Sequence, residues 1–213
     1  MSIDRKILHL YGVTDRSWLG ERTLCEVAEE SLKGGVTLLQ LREKNMSTDE
    51  FIKSAKEIKE VCKKYNVPLI INDNIDVALA VGADGVHIGQ DDMPASEARK
   101  ILGDDKIIGV TARNVEEALK AEKDGADYLG SGAVFGTSTK GNAVKMELST
   151  LKEITSSVGI PVVAIGGINS DNILNLKGTG IAGAAVVSGI YAADDIEKAA
   201  LSLYEKVTEI KEG

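Results

Sequence analysis

The chain has 213 residues, of which 43% are hydrophobic and 27% charged, and its formal net charge is −8. This length allows one sizeable core, so we expect a single domain over residues 1–213, and the composition excludes a disordered chain. A net anion without a tract of Lys and Arg excludes general binding to nucleic acid or anionic membranes, so any phosphate binding would have to be local.

Cys25 and Cys62 are the only cysteines, and both stand among apolar positions with helical spacing. Two cysteines so far apart form neither a disulfide framework nor a zinc site, and we expect reduced thiols in the core. No stretch approaches the ~20 apolar residues of a membrane span, and the start of the chain has no cleavage site for a signal peptide. We therefore expect a soluble, cytoplasmic protein.

Short β-branched runs alternate with amphipathic stretches eight times along the chain. In the stretch TDEFIKSAKEIKEVCKKY, for example, apolar residues line one helical face and Lys and Glu the other. This alternation predicts parallel strands with right-handed crossovers, and eight units in one chain favour a single (β/α)8 TIM barrel. The predicted strands are 7–13, 36–41, 67–71, 84–88, 106–110, 126–130, 160–165 and 181–187.

Polar residues follow the second predicted strand in the segment QLREKN. Gln40, Arg42 and Lys44 share one strand parity, whereas Leu39 and Leu41 take the other. Outward positions pack on helices and should be apolar, so the polar trio is expected inside, at the barrel mouth, where two cations clamp an anion. The alternative is a solvated run of charges.

Carboxylates follow the third and fourth predicted strands, in the segments LIINDN and HIGQDD. Asp73 and Asp92 are suited to hold Mg²⁺, which takes one or two carboxylates and completes its shell with water and phosphate. Asp91 satisfies the same spacing. The alternative role is helix capping, which stays open for Asp73, whereas Pro94 at a first helical position would put that cap near Met93.

The remaining strand ends carry hydroxyls and glycines. His9 and His87 have no partner motif and are expected to pack within their strands, while Thr111 ends the fifth strand with a hydroxyl. The loop after the sixth strand carries Thr137, Ser138, Thr139 and Lys140, which suits a lid that closes on phosphate or else an ordinary surface loop.

The seventh and eighth strands end in AIGGIN and VVSGIY. Gly167 and Ser188 stand where backbone N–H groups bind phosphate in many such barrels, and Asn169 is a predicted helix N-cap. The alternative is a pair of tight turns that need glycine. Two anion sites across one mouth indicate two phosphorylated substrates, or one substrate with phosphates at both ends.

The motifs YGVTD, QLREK, NDN, GVHIGQDD, GTSTK, AIGGI and VVSGI, taken in order, resemble the thiamine phosphate synthase family over essentially the whole chain. The resemblance implies a transferase that condenses 4-amino-2-methyl-5-pyrimidinylmethyl diphosphate with thiazole phosphate, releases pyrophosphate and uses one Mg²⁺ per subunit. Two departures keep the chemistry: Thr111 stands where the family often has Ser, and Gly136 where it often has Pro.

The resemblance also implies roles for individual residues. The pyrimidine diphosphate would contact Gln40, Leu41, Arg42, Glu43, Lys44, Asn72, Thr111 and Lys140. The thiazole phosphate would contact Thr137, Ser138, Thr139, Gly167, Val187 and Ser188. Magnesium would bind Asp73 and Asp92, and the catalytic groups would be Arg42, Lys44, Thr111 and Lys140.

A dissociative displacement explains why the sequence offers no nucleophile–base pair. The aminopyrimidine can stabilise a carbocation, so the protein has to position the substrates and neutralise the leaving pyrophosphate. Three rivals remain: a thiazole tautomerase, which resembles this chain but carries His where Ala133 stands here; a sugar-phosphate isomerase, which needs a base; and a binding protein without turnover. A homo-oligomer is compatible with the sequence.

Overall fold

A computed structural model of the chain describes residues 3–136 and 145–212. Eight parallel strands pair in chain order, and the first also pairs with the last, so the sheet closes. This confirms the predicted (β/α)8 barrel. The strands are β1 (Leu10–Val13), β2 (Leu38–Leu41), β3 (Leu69–Asn72), β4 (Gly85–Ile88), β5 (Ile107–Thr111), β6 (Tyr128–Gly132), β7 (Val162–Ile165) and β8 (Gly183–Val186).

Helices follow most strands and cover the outside of the barrel. Capping boxes begin the first two: Thr23 and Glu26 satisfy each other's backbone N–H groups at one, and Ser47 and Glu50 do so at the other. The helices are α1 (Leu24–Lys33), α2 (Thr48–Lys64), α3 (Ile75–Val81), α4 (Ala95–Leu102), α5 (Val115–Lys123), α6 (Leu148–Ser157), α7 (Ser188–Tyr191) and α8 (Ile196–Glu212).

Strand parity divides the buried side chains into two cores. Outward residues such as Leu39 and Val86 join the large cluster between strands and helices. Inward residues such as Tyr11, Ile70 and Tyr128 fill the barrel itself. Among the described residues, the barrel is therefore packed through its centre, and its ends are the places where ligands can reach it.

Local predictions were wrong at the first strand start and at the helix cap after β7. The first predicted strand starts at residue 7, but Arg5–Leu8 form a 3₁₀ helix, because the side chain of Asp4 caps it by accepting from the N–H of Lys6. Asn169 does not cap an α-helix: Ile173–Leu176 form a short 3₁₀ helix preceded by Asn172. The Asn169 side chain instead accepts from the N–H of Asp171 and shapes a turn.

The two cysteines are free thiols, as predicted. Cys62 is buried in the outer core, and burial raises the pKa of its thiol to about 12. Cys25 is half-buried, and burial raises its pKa as well. In the part of the chain that the structure describes, no helix is long and apolar enough to cross a membrane.

Candidate active site

Gln40 lies inside the barrel near the carboxyl end of β2, where its side chain is only 4% exposed. Its Nε2 donates to the hydroxyl of Tyr11 at 2.5 Å. Leu41 faces the other way and is fully buried in the outer core, so only its backbone is close to the mouth. The strand parity used in the sequence argument therefore gives the correct faces for both residues.

Arg42 and Glu43 lie beyond the end of β2 and pair with two consecutive residues of the loop after β1. Arg42 Nη1 donates to Asp15 Oδ2 at 3.2 Å, and Arg16 Nε donates to both carboxylate oxygens of Glu43 at 2.8 and 2.9 Å. The Arg42 N–H also donates to the hydroxyl of Thr14. Arg42 is thus held by Asp15, a partner that the sequence argument missed. Glu43 pairs with Arg16, and this ion pair connects the loops after β1 and β2.

Lys44 and Asp73 form an ion pair between the ends of β2 and β3, with Nζ 3.0 Å from Oδ2. Asn72 Nδ2 donates to the other oxygen of Asp73 at 2.9 Å. The backbone of Asp73 has φ of 60°, an uncommon region for a residue with a side chain and one enriched at functional sites. Asn74 caps α3, so the capping alternative for Asp73 was wrong, and its two carboxylate oxygens contact Lys44 and Asn72 instead.

Asp92 and Asp91 are both exposed in the loop after β4, the strand that pairs with β3. Asp92 Oδ2 accepts from the N–H of Gly89 at 2.7 Å, and Pro94 is the residue that precedes α4, one position later than the predicted cap. Among the described residues, no three or more His, Cys, Asp or Glu side chains gather around a potential metal position. A cation on Asp73 and Asp92 would therefore draw further ligands from water and phosphate.

Thr111 ends β5 and is hydrogen-bonded to a histidine that the sequence argument assigned to packing alone. His87 Nε2 lies 3.0 Å from Thr111 Oγ1, and Nδ1 lies 3.0 Å from the hydroxyl of Tyr128. His87 is 8% exposed, so it belongs to the floor of the site. Glycines at the inward positions of β5 and β6 were the available signal, because a strand glycine often marks a close approach.

The ends of β7 and β8 form one glycine-lined corner. Gly167 has φ of 66°, and a Cβ there would lie 2.1 Å from the carbonyl oxygen of Gly136. A Cβ on Gly189 would lie 2.4 Å from the carbonyl oxygen of Ile168, so the two strand ends are in contact. Val187 precedes α7, whose first residues Ser188 and Gly189 have N–H groups without an acceptor in their own helix. The corner offers donors suited to a phosphate.

The loop after β6 begins beside this corner. Its Val134 and Phe135 N–H groups donate to the carbonyls of Ile165 and Gly166 at 3.0 Å, which extends the β6–β7 pairing. Thr137, Ser138, Thr139 and Lys140 lie outside the described residues. Ala133 is 6% exposed and brings no ionisable group to the position where a tautomerase would carry His.

Comparisons with known proteins match the same family that the sequence motifs resemble. The model of the thiamine monophosphate synthase family matches residues 10–190. A thiamine-phosphate synthase of Clostridium tetani is 57% identical over 190 residues, which cover 89% of this chain and 91% of that protein. Its counterpart of Clostridium novyi is 56% identical over 195 residues, with 91% and 96% covered.

A solved structure of thiamine phosphate pyrophosphorylase from Pyrococcus furiosus matches the barrel with a TM-score of 0.89. Its sequence is 43% identical, and the match covers 97% of this chain and 98% of that one. The chain therefore belongs to the thiamine monophosphate synthase family, whose thiamine-phosphate synthases are transferases that form thiamine phosphate.

Proposed function

We propose that this protein joins aminopyrimidine methyl diphosphate to thiazole phosphate by a dissociative displacement assisted by one Mg²⁺. The observation that supports the proposal is the presence of two cationic side chains and a separate glycine corner at the same end of the barrel. Arg42, which pairs with Asp15, and Lys44, which pairs with Asp73, offer cations, whereas the corner of Gly167 and Ser188 offers backbone donors. Two phosphorylated substrates fit these two sites.

The bond between the pyrimidine methylene and the diphosphate oxygen breaks first in this scheme, and the electron pair leaves with the pyrophosphate. The thiazole nitrogen then donates its lone pair to the methylene carbon, so no residue has to remove a proton. Arg42, Lys44 and Lys140 would neutralise the leaving group, and Thr111 would donate a hydrogen bond to it. Gln40 and Asn72 would orient the pyrimidine side of the mouth.

Magnesium fits the residues at the ends of β3 and β4. Asp73 already holds a cation, the Lys44 ammonium at 3.0 Å, and the Asp92 carboxylate comes from the neighbouring strand's loop. Two carboxylates with water and diphosphate oxygens are a typical Mg²⁺ ligand set. When bound, the ion would supply charge neutralisation of the diphosphate, and Lys44 would be released from Asp73 towards the same anion.

A thiazole tautomerase is not favoured, because Ala133 cannot transfer a proton and the residues for the diphosphate are present. We infer a cytoplasmic location from small phosphorylated substrates and from a described chain without a membrane-spanning helix. A homo-oligomer remains an expectation.

A direct assay tests the proposed function. The purified protein is mixed with both substrates and Mg²⁺, and thiamine phosphate and pyrophosphate are quantified together. Equal amounts of the two products are expected when both substrates are present, and no thiamine phosphate is expected when thiazole phosphate is omitted. Failure to form thiamine phosphate from both substrates would contradict the proposal, as would rearrangement of the thiazole alone.

A further inference from the structure

A line of hydrogen-bonded side chains crosses the inside of the barrel from β2 to β5. Gln40 Nε2 contacts the hydroxyl of Tyr11 at 2.5 Å, and that hydroxyl lies 2.7 Å from the hydroxyl of Tyr128. Tyr128 contacts His87 Nδ1 at 3.0 Å, and His87 Nε2 contacts Thr111 Oγ1 at 3.0 Å. Both ends of this interior chain are residues that we assign to the pyrimidine diphosphate.

The barrel backbone leaves room for this interior chain. His87 pairs in register with Gly109, and Gly109 pairs with Tyr128. A Cβ on Gly109 would lie 2.1 Å from the ring of Tyr128, and a Cβ on Gly130 would lie 3.0 Å from the ring of His87. The two aromatic rings therefore occupy space that side chains at these two strand positions would otherwise take.

The amide nitrogen of Gln40 lies against Tyr11, and one direction of the interior chain follows from that placement. An amide NH₂ can only donate, so the Tyr11 oxygen accepts from Gln40 and its own hydrogen goes to Tyr128. Tyr128 in turn donates to Nδ1 of His87, which makes Nδ1 an acceptor and places the ring hydrogen on Nε2. Nε2–H then donates to Thr111, whose own hydroxyl hydrogen remains for another acceptor.

We propose that Tyr11 and Tyr128 are positioning residues that hold His87 in its Nε2–H tautomer and thereby direct the Thr111 hydroxyl to donate to the leaving diphosphate. The proposal rests on the proposed role of Thr111 in the condensation. Thr111 is half-buried at the carboxyl end of its strand, the end at which barrel enzymes bind their substrates.

The environment of the tyrosines favours this role. Tyr11 and Tyr128 are at most 1% exposed, and burial raises the pKa of both hydroxyls above their ordinary value. Both therefore stay protonated, and each keeps one hydrogen to donate, at any pH at which the enzyme works. A fully connected buried network of this kind orders its members more strongly than isolated pairs would.

The tautomer of His87 can be read directly, because the chain has two histidines. Two-bond ¹H–¹⁵N spectra of ¹⁵N-histidine-labelled protein resolve both rings, and His9→Gln assigns them. We expect Nε2–H in the native protein and a mixture of tautomers in Tyr128→Phe. An Nδ1–H ring in the native protein would overturn the proposal, because the interior chain would then run in the opposite direction, as would an unchanged ring in Tyr128→Phe.

A matched control separates this role from packing. Tyr191 is 1% exposed, and its hydroxyl contacts Ser31 on α1 at 3.1 Å, outside the interior chain. Tyr191→Phe removes a buried hydroxyl of the same kind, and we expect it to change neither the His87 tautomer nor kcat. Thermal unfolding of both variants verifies that each one folds.

Kinetics complete the test. We expect Tyr128→Phe to lower kcat about tenfold, which is the scale for losing a residue that orients a group contacting the substrate. Each KM should change less than about twofold. In a Thr111→Val background the same change should have no further effect on kcat. If Tyr128→Phe lowers kcat in the Thr111→Val background as much as it does in the native protein, Tyr128 acts through general packing, and the proposal is overturned. The spectra need no turnover, so absence of thiamine phosphate formation in the native protein would count against the proposed function and not against the tautomer.

Discussion

The Asp15 carboxylate lies 3.2 Å from Nη1 of Arg42, and the next residue in each loop, Arg16 and Glu43, forms a second ion pair. The charges are crossed, with an acid followed by a base after β1 and a base followed by an acid after β2. Asp15 and Arg42 are 13% and 14% exposed, so water screens this pair only partly. The first loop thus fixes the cation that ends the second strand.

Asp15→Asn tests this arrangement. The variant leaves a largely buried Arg42 without a counter-charge, so we expect the free energy of unfolding to fall by about 1–3 kcal/mol. Pyrophosphate should recover part of that loss, because it supplies the missing negative charge to Arg42, and so its Kd should not rise. Urea unfolding with and without pyrophosphate measures both effects.

The control for that variant is Glu30→Gln, which removes the surface pair of Arg22 and Glu30, each 33% exposed. Its effect on stability should stay within about 0.5 kcal/mol. A clear loss of pyrophosphate affinity in Asp15→Asn would mean that Asp15 orients Arg42 more than it competes with the ligand.

The fold was predictable because it depends on the spacing of apolar residues, which differs between strands and helices and can be recognised within short stretches of the sequence. All eight strands were found, although each predicted strand began one to three residues too early. Parity also predicted that Gln40 faces inward and Leu41 outward. Loop conformation is not encoded in this way, so the 3₁₀ helix at Ile173–Leu176 and the partners of Arg42 and Glu43 could not be read from spacing.

The floor of the site was missed for a different reason. Tyr11 and Tyr128 stand 117 residues apart, and their hydroxyls meet only because the barrel closes. His87 has no local motif, so packing was the simpler interpretation. Once eight registered strands are accepted, however, the inward positions His87, Gly109 and Tyr128 fall side by side, and the glycine between two rings indicates that the rings meet.

Metal dependence is the second prediction. Turnover should stop in excess chelator and return with Mg²⁺, since a departing diphosphate needs its charge neutralised. Asp92→Asn should raise the Mg²⁺ concentration needed for half-maximal rate, whereas Asp91→Asn, an exposed neighbour, should leave it unchanged. The reverse pattern would assign the metal to Asp91, and full activity with chelator would rule out the site.

Gly167 supports the third prediction. Gly167→Ala must accept a left-handed backbone with φ of 66° and a contact of 2.1 Å with the carbonyl oxygen of Gly136. We expect a loss of stability of about 2 kcal/mol or more and weaker binding of thiazole phosphate, because the glycine corner is displaced.

Gly178→Ala is the matched control for Gly167→Ala. Gly178 has φ of 77° and no atom within 4 Å of its ideal Cβ, so this variant has the backbone strain without the contact. We expect a cost of about 1 kcal/mol and unchanged affinity for both substrates. Ser188→Ala should weaken thiazole phosphate binding only modestly. Equal loss of pyrimidine diphosphate binding in Gly167→Ala would contradict the assignment of two separate anion sites.

Lys140 supports the fourth prediction, which comes from the sequence alone. A compact ammonium on a flexible stem suits a leaving oxygen whose charge grows in the transition state. Lys140→Ala should therefore lower kcat by roughly 10²-fold or more, with little change in KM for thiazole phosphate, and Lys140→Arg should recover only part of the rate. Single-turnover measurements check the chemical step, and a near-normal step in Lys140→Ala would leave the residue as a tether or a surface charge.

His9 gives the last prediction, which concerns stability and not catalysis. Its Nε2 lies 3.0 Å from the carbonyl oxygen of Tyr204 on α8, and its Nδ1 lies 3.5 Å from the ammonium of Lys211. Burial lowers the pKa of His9 below 6.5, the Tyr204 carbonyl opposes that shift, and Lys211 adds to it. The unfolded chain therefore binds the proton more tightly than the folded protein does. The free energy of unfolding should fall as the pH falls below about 6.5, until the folded protein is protonated too. We expect a contribution below about 1 kcal/mol, because solvent reaches part of the ring.

His9→Gln keeps a donor for Tyr204 without titrating, so its unfolding free energy, followed by urea between pH 7 and pH 5, should decline less than that of the native protein. Lys211→Met should raise the pKa of His9 in an NMR titration, and a pKa above 6.5 in the native protein would reverse the predicted dependence.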